Sequence, residues 1–114
     1  MKIVKHSDTC TVGSAADSVK LTVTFRGANT GVFEVNRSGI ILKPKPDGSV
    51  PLGKAKTLPG TSILVKTLVN QVGPGTFFEV DYVLHGTTCG PFTVQDSFDA
   101  GDLNATVRET IKFS

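Results

Sequence analysis

Asp96-Ser97-Phe98-Asp99-Ala100-Gly101-Asp102-Leu103-Asn104 gathers three carboxylates and an amide into one short stretch. Calcium takes several oxygen ligands, and a loop between strands can supply them. Asp96, Asp99 and Asp102 are therefore the candidate metal ligands, and calcium is the ion their chemistry would select. Their spacing is not that of an EF-hand loop. Asp and Asn are also favoured turn residues, which gives the same cluster a purely structural use.

The remaining reactive side chains are sparse. Nucleophilic catalysis needs a nucleophile, a base within reach and an orienting group. The histidines are His6 and His85 alone, and no Gly-x-Ser-x-Gly elbow occurs. Cys89 follows His85 by four residues, a spacing that in a turn implies no useful geometry. The two cysteines and two histidines lack the paired short spacing of a zinc site. Val72-Gly73-Pro74-Gly75-Thr76 leads into a strand pattern and not into a helix, so it does not read as a phosphate cradle. The basic stretch from Lys43 to Lys56 contains no aromatic residue. Nucleic-acid binding by stacking is therefore not expected. Trp is absent and Tyr82 is the single Tyr, which leaves few platforms for a sugar. The expectation is a protein that is not an enzyme and that needs no cofactor beyond the calcium considered above.

Cys10 and Cys89 are an even pair far apart in sequence, which fits one bridge tying the N-terminal segment to a late loop. Two buried thiols are the other reading. A bridge would close a long loop, contribute about 3–4 kcal/mol, and imply an oxidising compartment.

The elements that must position these residues follow a period of two. In Val19-Lys20-Leu21-Thr22-Val23-Thr24-Phe25-Arg26, apolar and polar residues alternate without a break. This is a strand with one buried and one wet face. Short strands are also expected over 32–36, 40–42, 63–70, 76–84, 92–94 and 105–113. In the strand over 76–84, Phe78, Val80, Tyr82 and Leu84 share a face. In the last, Val107, Ile111 and Phe113 point inward. Gly27 to Gly31 and Gln71 to Gly75 read as turns. Ala15-Ala16-Asp17 carries the one hint of a helical turn. Pro44 and Pro46 each remove a backbone donor, so the chain from Lys43 to Gly60 reads as a long surface excursion. The pattern predicts an all-β fold, an immunoglobulin-like or jelly-roll-like antiparallel β-sandwich of about seven strands. Residues 1–114 form a single domain, with 1–17 as an N-terminal arm or extension. No run is long and apolar enough for a membrane-spanning helix, and the N-terminus lacks the apolar stretch of a signal peptide.

Net charge is only +2, but its distribution is uneven. From Arg37 to Lys66, Arg37, Lys43, Lys45, Lys54, Lys56 and Lys66 stand against Asp47 alone. From Thr67 to Val107 there is no Lys or Arg, and Glu79, Asp81, Asp96, Asp99 and Asp102 are acidic. Two such stretches can stack copies head to tail, or can neighbour each other and cancel within one molecule.

Leu58-Pro59-Gly60-Thr61-Ser62, Lys66-Thr67, the Val72–Thr76 turn, the strand Phe77 to Leu84 and Phe92-Thr93-Val94-Gln95-Asp96 follow one another in order. This second half resembles the immunoglobulin-like repeat domains of microbial surface proteins. The resemblance implies a stalk, adhesin module, or shell or filament subunit. It also raises an intramolecular isopeptide bond, with Lys66 and Asn104 as partners and Glu79 or Asp81 as helper acid. Asn29-Thr30-Gly31-Val32-Phe33 resembles the first binding loop of immunoglobulin-like inhibitors of cysteine proteases.

The functional expectation is a non-enzymatic structural or assembly module acting by protein–protein contacts. It would be a subunit or repeat of a surface appendage, filament, shell or virus particle, located outside the cell, on its surface or on a particle. Its partners would be copies of itself or other structural proteins, with Lys43, Lys45, Lys54 and Lys56 meeting Asp96, Asp99 and Asp102 of a neighbour. The alternative is a monomeric binding module for a protein ligand, a glycan or a protease.

Overall fold

The computed structural model describes residues 2–12, 18–26, 29–72 and 76–114. The helical turn expected at Ala15–Asp17 lies outside them, as do parts of the two turns expected after Arg26 and Gln71.

Among the described residues, nine strands form two sheets, two more than the sequence pattern suggests. They are β1 (Lys2–Cys10), β2 (Ser18–Arg26), β3 (Asn29–Arg37), β4 (Ile40–Leu42), β5 (Ser49–Lys54), β6 (Ser62–Gln71), β7 (Phe77–His85), β8 (Phe92–Ser97) and β9 (Asn104–Phe113). One sheet has the order β1-β9-β6-β3-β4 and the other β5-β2-β7-β8. Among the described residues no helix is long and apolar enough to cross a membrane.

Alternation decides which face each strand buries. On β9, Ala105, Val107, Glu109, Ile111 and Phe113 are all buried, whereas Arg108 and Lys112 are exposed. On β7, Phe78, Val80, Tyr82 and Leu84 are buried, as the pattern predicts. The inward sets meet in one apolar layer between the sheets, where Phe78 also stacks at a tilt on Phe98, with ring centroids 5.0 Å apart.

Three expectations are corrected. The first residues are not an arm: Lys2–Cys10 is a nine-residue strand at the edge of the larger sheet. It runs parallel to β9, in register from Lys2↔Ala105 to Cys10↔Phe113, so the sandwich is not purely antiparallel. The stretch after Pro46 is not a surface excursion either. It forms β5, whose Val50 and Leu52 are buried, then a 3₁₀ turn at Ala55–Thr57. Ala55 and Leu58 are buried there too. β5 is an edge strand, where prolines are tolerated because one row of backbone groups has no ladder partner. Finally, Asn29–Phe33 is not a loop but the start of β3, hydrogen-bonded to β6.

Candidate functional site

β1 is an edge strand held at both ends to the opposite sheet. At its start, the Lys2 ammonium donates to Asp96 Oδ1 at 2.8 Å and to the Ser97 carbonyl at 3.0 Å on β8, and lies 3.4 Å from Asp99 Oδ1. At its end, Cys10 is disulfide-bonded to Cys89 in the β7–β8 connection. The bridge inferred from the cysteine count is thus present.

Between these two attachments, the parallel register brings His6 opposite Glu109. Val4, His6, Asp8 and Cys10 share the inward-facing parity of β1. Glu109 lies between Val107 and Ile111 on β9, and its side chain has no solvent exposure. His6 Nδ1 is 2.7 Å from Glu109 Oε2 and 3.1 Å from Asp8 Oδ2. Nδ1 and Oε2 are within hydrogen-bond distance, and which of them donates depends on the tautomer. Asp8 Oδ2 and Glu109 Oε1 are both buried and have no hydrogen-bond partner. Burial first, and then the neighbouring Asp8 carboxyl, push the Glu109 carboxyl up to about 7, against the opposing pull of His6. Nearby, Tyr82 donates or accepts a buried hydrogen bond with Thr67 Oγ1 at 2.8 Å, and burial raises its phenol above the ordinary range. His6, Asp8 and Glu109 are the set of histidine and carboxylate side chains, among the described residues, whose ligand atoms lie within 4.8 Å of one another.

The sequence pattern did not single out this trio. Two of its members fall in the segment read as an arm, and Glu109 is a lone charge among inward residues. The parity of Val107, Glu109 and Ile111 was the signal that could have found it.

The expected calcium ligands are placed differently. The Lys2 ammonium sits against Asp96 and Asp99, the position that a cation would take between them. Asp102 donates its backbone N–H to the Asp99 carbonyl, closing a turn. The expected isopeptide partners are apart: on the β6–β9 ladder Lys66 pairs with Arg108, and Asn104 with Asn70. Four ladder positions separate them, about 13 Å. Asp81 is buried and engaged by Arg26 and by the Thr93 hydroxyl.

The charges expected at a contact also acquire partners within the molecule. Lys43 donates to Glu34 at 2.6 Å, and Lys2 neutralises the acidic loop. Lys45, Lys54 and Lys56 are exposed. A different cationic feature emerges from the registers. On the outer face of the larger sheet, Lys5 pairs with Arg108 and Arg108 with Lys66, directly across three adjacent strands. Glu34 continues the row on β3, where Lys43 engages it. The next row holds Ile3, Thr106, Leu68 and Val32, of which Ile3 is 59% and Val32 65% exposed. Beside it, a groove of about 530 Å³ is lined by Phe25, Val32, Phe33, Pro44 and Leu68, with Lys43 and Lys66 on its rim. At the sheet edge, β4 exposes Ile40 and Ile41.

No family model, curated protein or solved structure matches the chain.

Proposed function

We propose that the chain is a non-enzymatic structural module, a subunit or repeat of a surface appendage, filament, shell or virus particle, that acts by protein–protein contact through the outer face of its larger sheet. The observation that carries this reading is the Lys5–Arg108–Lys66 row. Like charges directly opposite on neighbouring strands destabilise a sheet. A row of three is best accounted for by an acidic surface that covers it. Ile3 and Val32 in the adjacent row supply apolar area for the same contact.

The occupant with matching chemistry is another copy of the chain. Asp81 is buried against Arg26 and Asp96 is bonded to Lys2, but Asp99, just after β8, keeps a 65% exposed side chain on the other sheet's side of the molecule. Basic and acidic surfaces on different sheets suit head-to-tail stacking. The Cys10–Cys89 bond fits an oxidising compartment, and so a place outside the cell or on a particle.

Light scattering across a wide concentration range, at low and high salt, tests the reading. Salt-sensitive growth that disappears in Arg108→Glu with Lys66→Glu is the expected result. A strict monomer in all conditions would overturn self-assembly and favour a monomeric binding module, with the groove beside Val32 as its first candidate surface.

A further inference from the structure

We propose that His6, Asp8 and Glu109 form a binding site for a first-row divalent transition-metal ion, of which zinc is the probe of choice, at the seam between β1 and β9.

The donor set is one imidazole nitrogen and two carboxylates, which suits zinc and its neighbours and not calcium, which prefers an all-oxygen shell. The three ligand atoms lie within 4.8 Å of one another. Nδ1 lies 2.7 Å from Glu109 Oε2 and 3.1 Å from Asp8 Oδ2. Two donors each about 2.0–2.1 Å from a tetrahedral zinc stand about 3.3 Å apart. The His6–Glu109 pair would open by about 0.6 Å and the His6–Asp8 pair by about 0.2 Å to reach it. β1 is an edge strand, and His6 and Asp8 are 40% and 25% exposed, so their side chains have room to make that adjustment.

Burial supplies the second, independent argument. Glu109 is fully enclosed, yet its Oε1 has no hydrogen-bond partner. Asp8 Oδ2, the oxygen that faces Nδ1, is buried and without a hydrogen bond as well. Buried polar atoms are nearly always satisfied, and an exception calls for an explanation. A dication held by Nδ1, Glu109 Oε2 and Asp8 Oδ2 would satisfy the orphaned Asp8 oxygen, and its charge would balance the two carboxylates. On binding, Nδ1, Oε2 and Oδ2 each bond the ion, the Nδ1–Oε2 hydrogen bond is lost, and any proton the ligands carry leaves to solvent. The exposed side of His6 leaves the remaining coordination position open to water or to a side chain of another molecule. The ion would also fix the middle of β1, which is otherwise attached to the opposite sheet at Lys2 and Cys10.

Calorimetric titration of the intact chain with zinc, in two buffers of different ionisation enthalpy, tests this inference. One equivalent should bind with proton release, and the thermal midpoint should rise with zinc concentration. Calcium should give neither effect. Glu109→Gln and Asp8→Asn should each weaken binding at least tenfold, whereas His85→Ala should leave it unchanged. Cobalt(II) should show visible absorption bands that are lost in His6→Ala. If Glu109→Gln fails to fold, Asp8→Asn and His6→Ala decide the question. Absence of saturable binding to the wild-type chain would overturn the site. So would binding that persists at full strength in Asp8→Asn or His6→Ala. Self-association measured with and without zinc keeps this result separate from the assembly reading.

Discussion

Glu109 Oε2 and His6 Nδ1 lie 2.7 Å apart across a parallel ladder that joins two strands separated by almost the whole chain. One partner is fully buried and the other opens onto solvent at the sheet edge. A carboxyl enclosed in a sandwich core is costly to ionise. His6 offsets part of that cost, and Asp8 adds to it.

Stability without metal should therefore fall as pH rises through the neutral range. The Glu109 carboxyl is raised from 4.5 to about 7 in the folded state. Below the lower value it is protonated in both states, and its contribution is fully present. Between the two values the folded chain binds more protons than the unfolded one, so stability declines with pH. Urea unfolding at pH 5 and pH 8, in the presence of a chelator, measures the decline. Glu109→Gln should flatten the profile and be the more stable variant at pH 8.

Breaking the Cys10–Cys89 bond should cost about 4 kcal/mol, because it closes a loop with a sequence separation of 79. The effect should be largest at β1. Hydrogen exchange on Cys10→Ser with Cys89→Ser should show β1 amides exchanging faster than those of β6. Equal protection in both strands would mean that the β9 ladder alone holds β1.

Gly31→Ala should destabilise the fold by about 1–3 kcal/mol, the usual range for overpacking. A Cβ at this position would strike the Leu68 carbonyl on β6 and the ring of Phe25 on β2, both at once. A thermal midpoint unchanged from wild type would mean that β3 can withdraw from the opposing sheet at little cost.

Arg108→Glu should raise the stability of the monomer by roughly 0.5 kcal/mol, since it places an acid between Lys5 and Lys66. The same change should weaken self-association. A variant that is more stable and less associated identifies the row as kept for contact. Loss of stability together with association would point to a role within the sheet instead.

Much of the architecture was legible in the residues. Val19 to Arg26, Phe77 to Leu84 and Ala105 to Phe113 alternate so plainly that their inward faces could be read off directly. The rest was hidden for specific reasons. β5 sits among Pro46, Pro51 and Gly53, residues that ordinarily end strands, and it survives because it is an edge. β1 carries Lys2, Lys5, His6 and Asp8, too polar to look like part of a core. Its apolar support comes from β9, about a hundred positions away in the chain.

The amino-acid sequence by itself determined the all-β class, the inward faces of the central strands and an even cysteine count that allows one bridge. Each depends on local alternation or on simple arithmetic. Only the tertiary structure decided that Glu109 meets His6 and Asp8, that Cys10 and Cys89 are bonded, that Lys2 lies against Asp96 and Asp99, and that Lys5, Arg108 and Lys66 form one row. The physical reason is register. Side chains alternate along a strand whatever its neighbour is, but which charges meet depends on the strand beside it and on the offset at which the two pair.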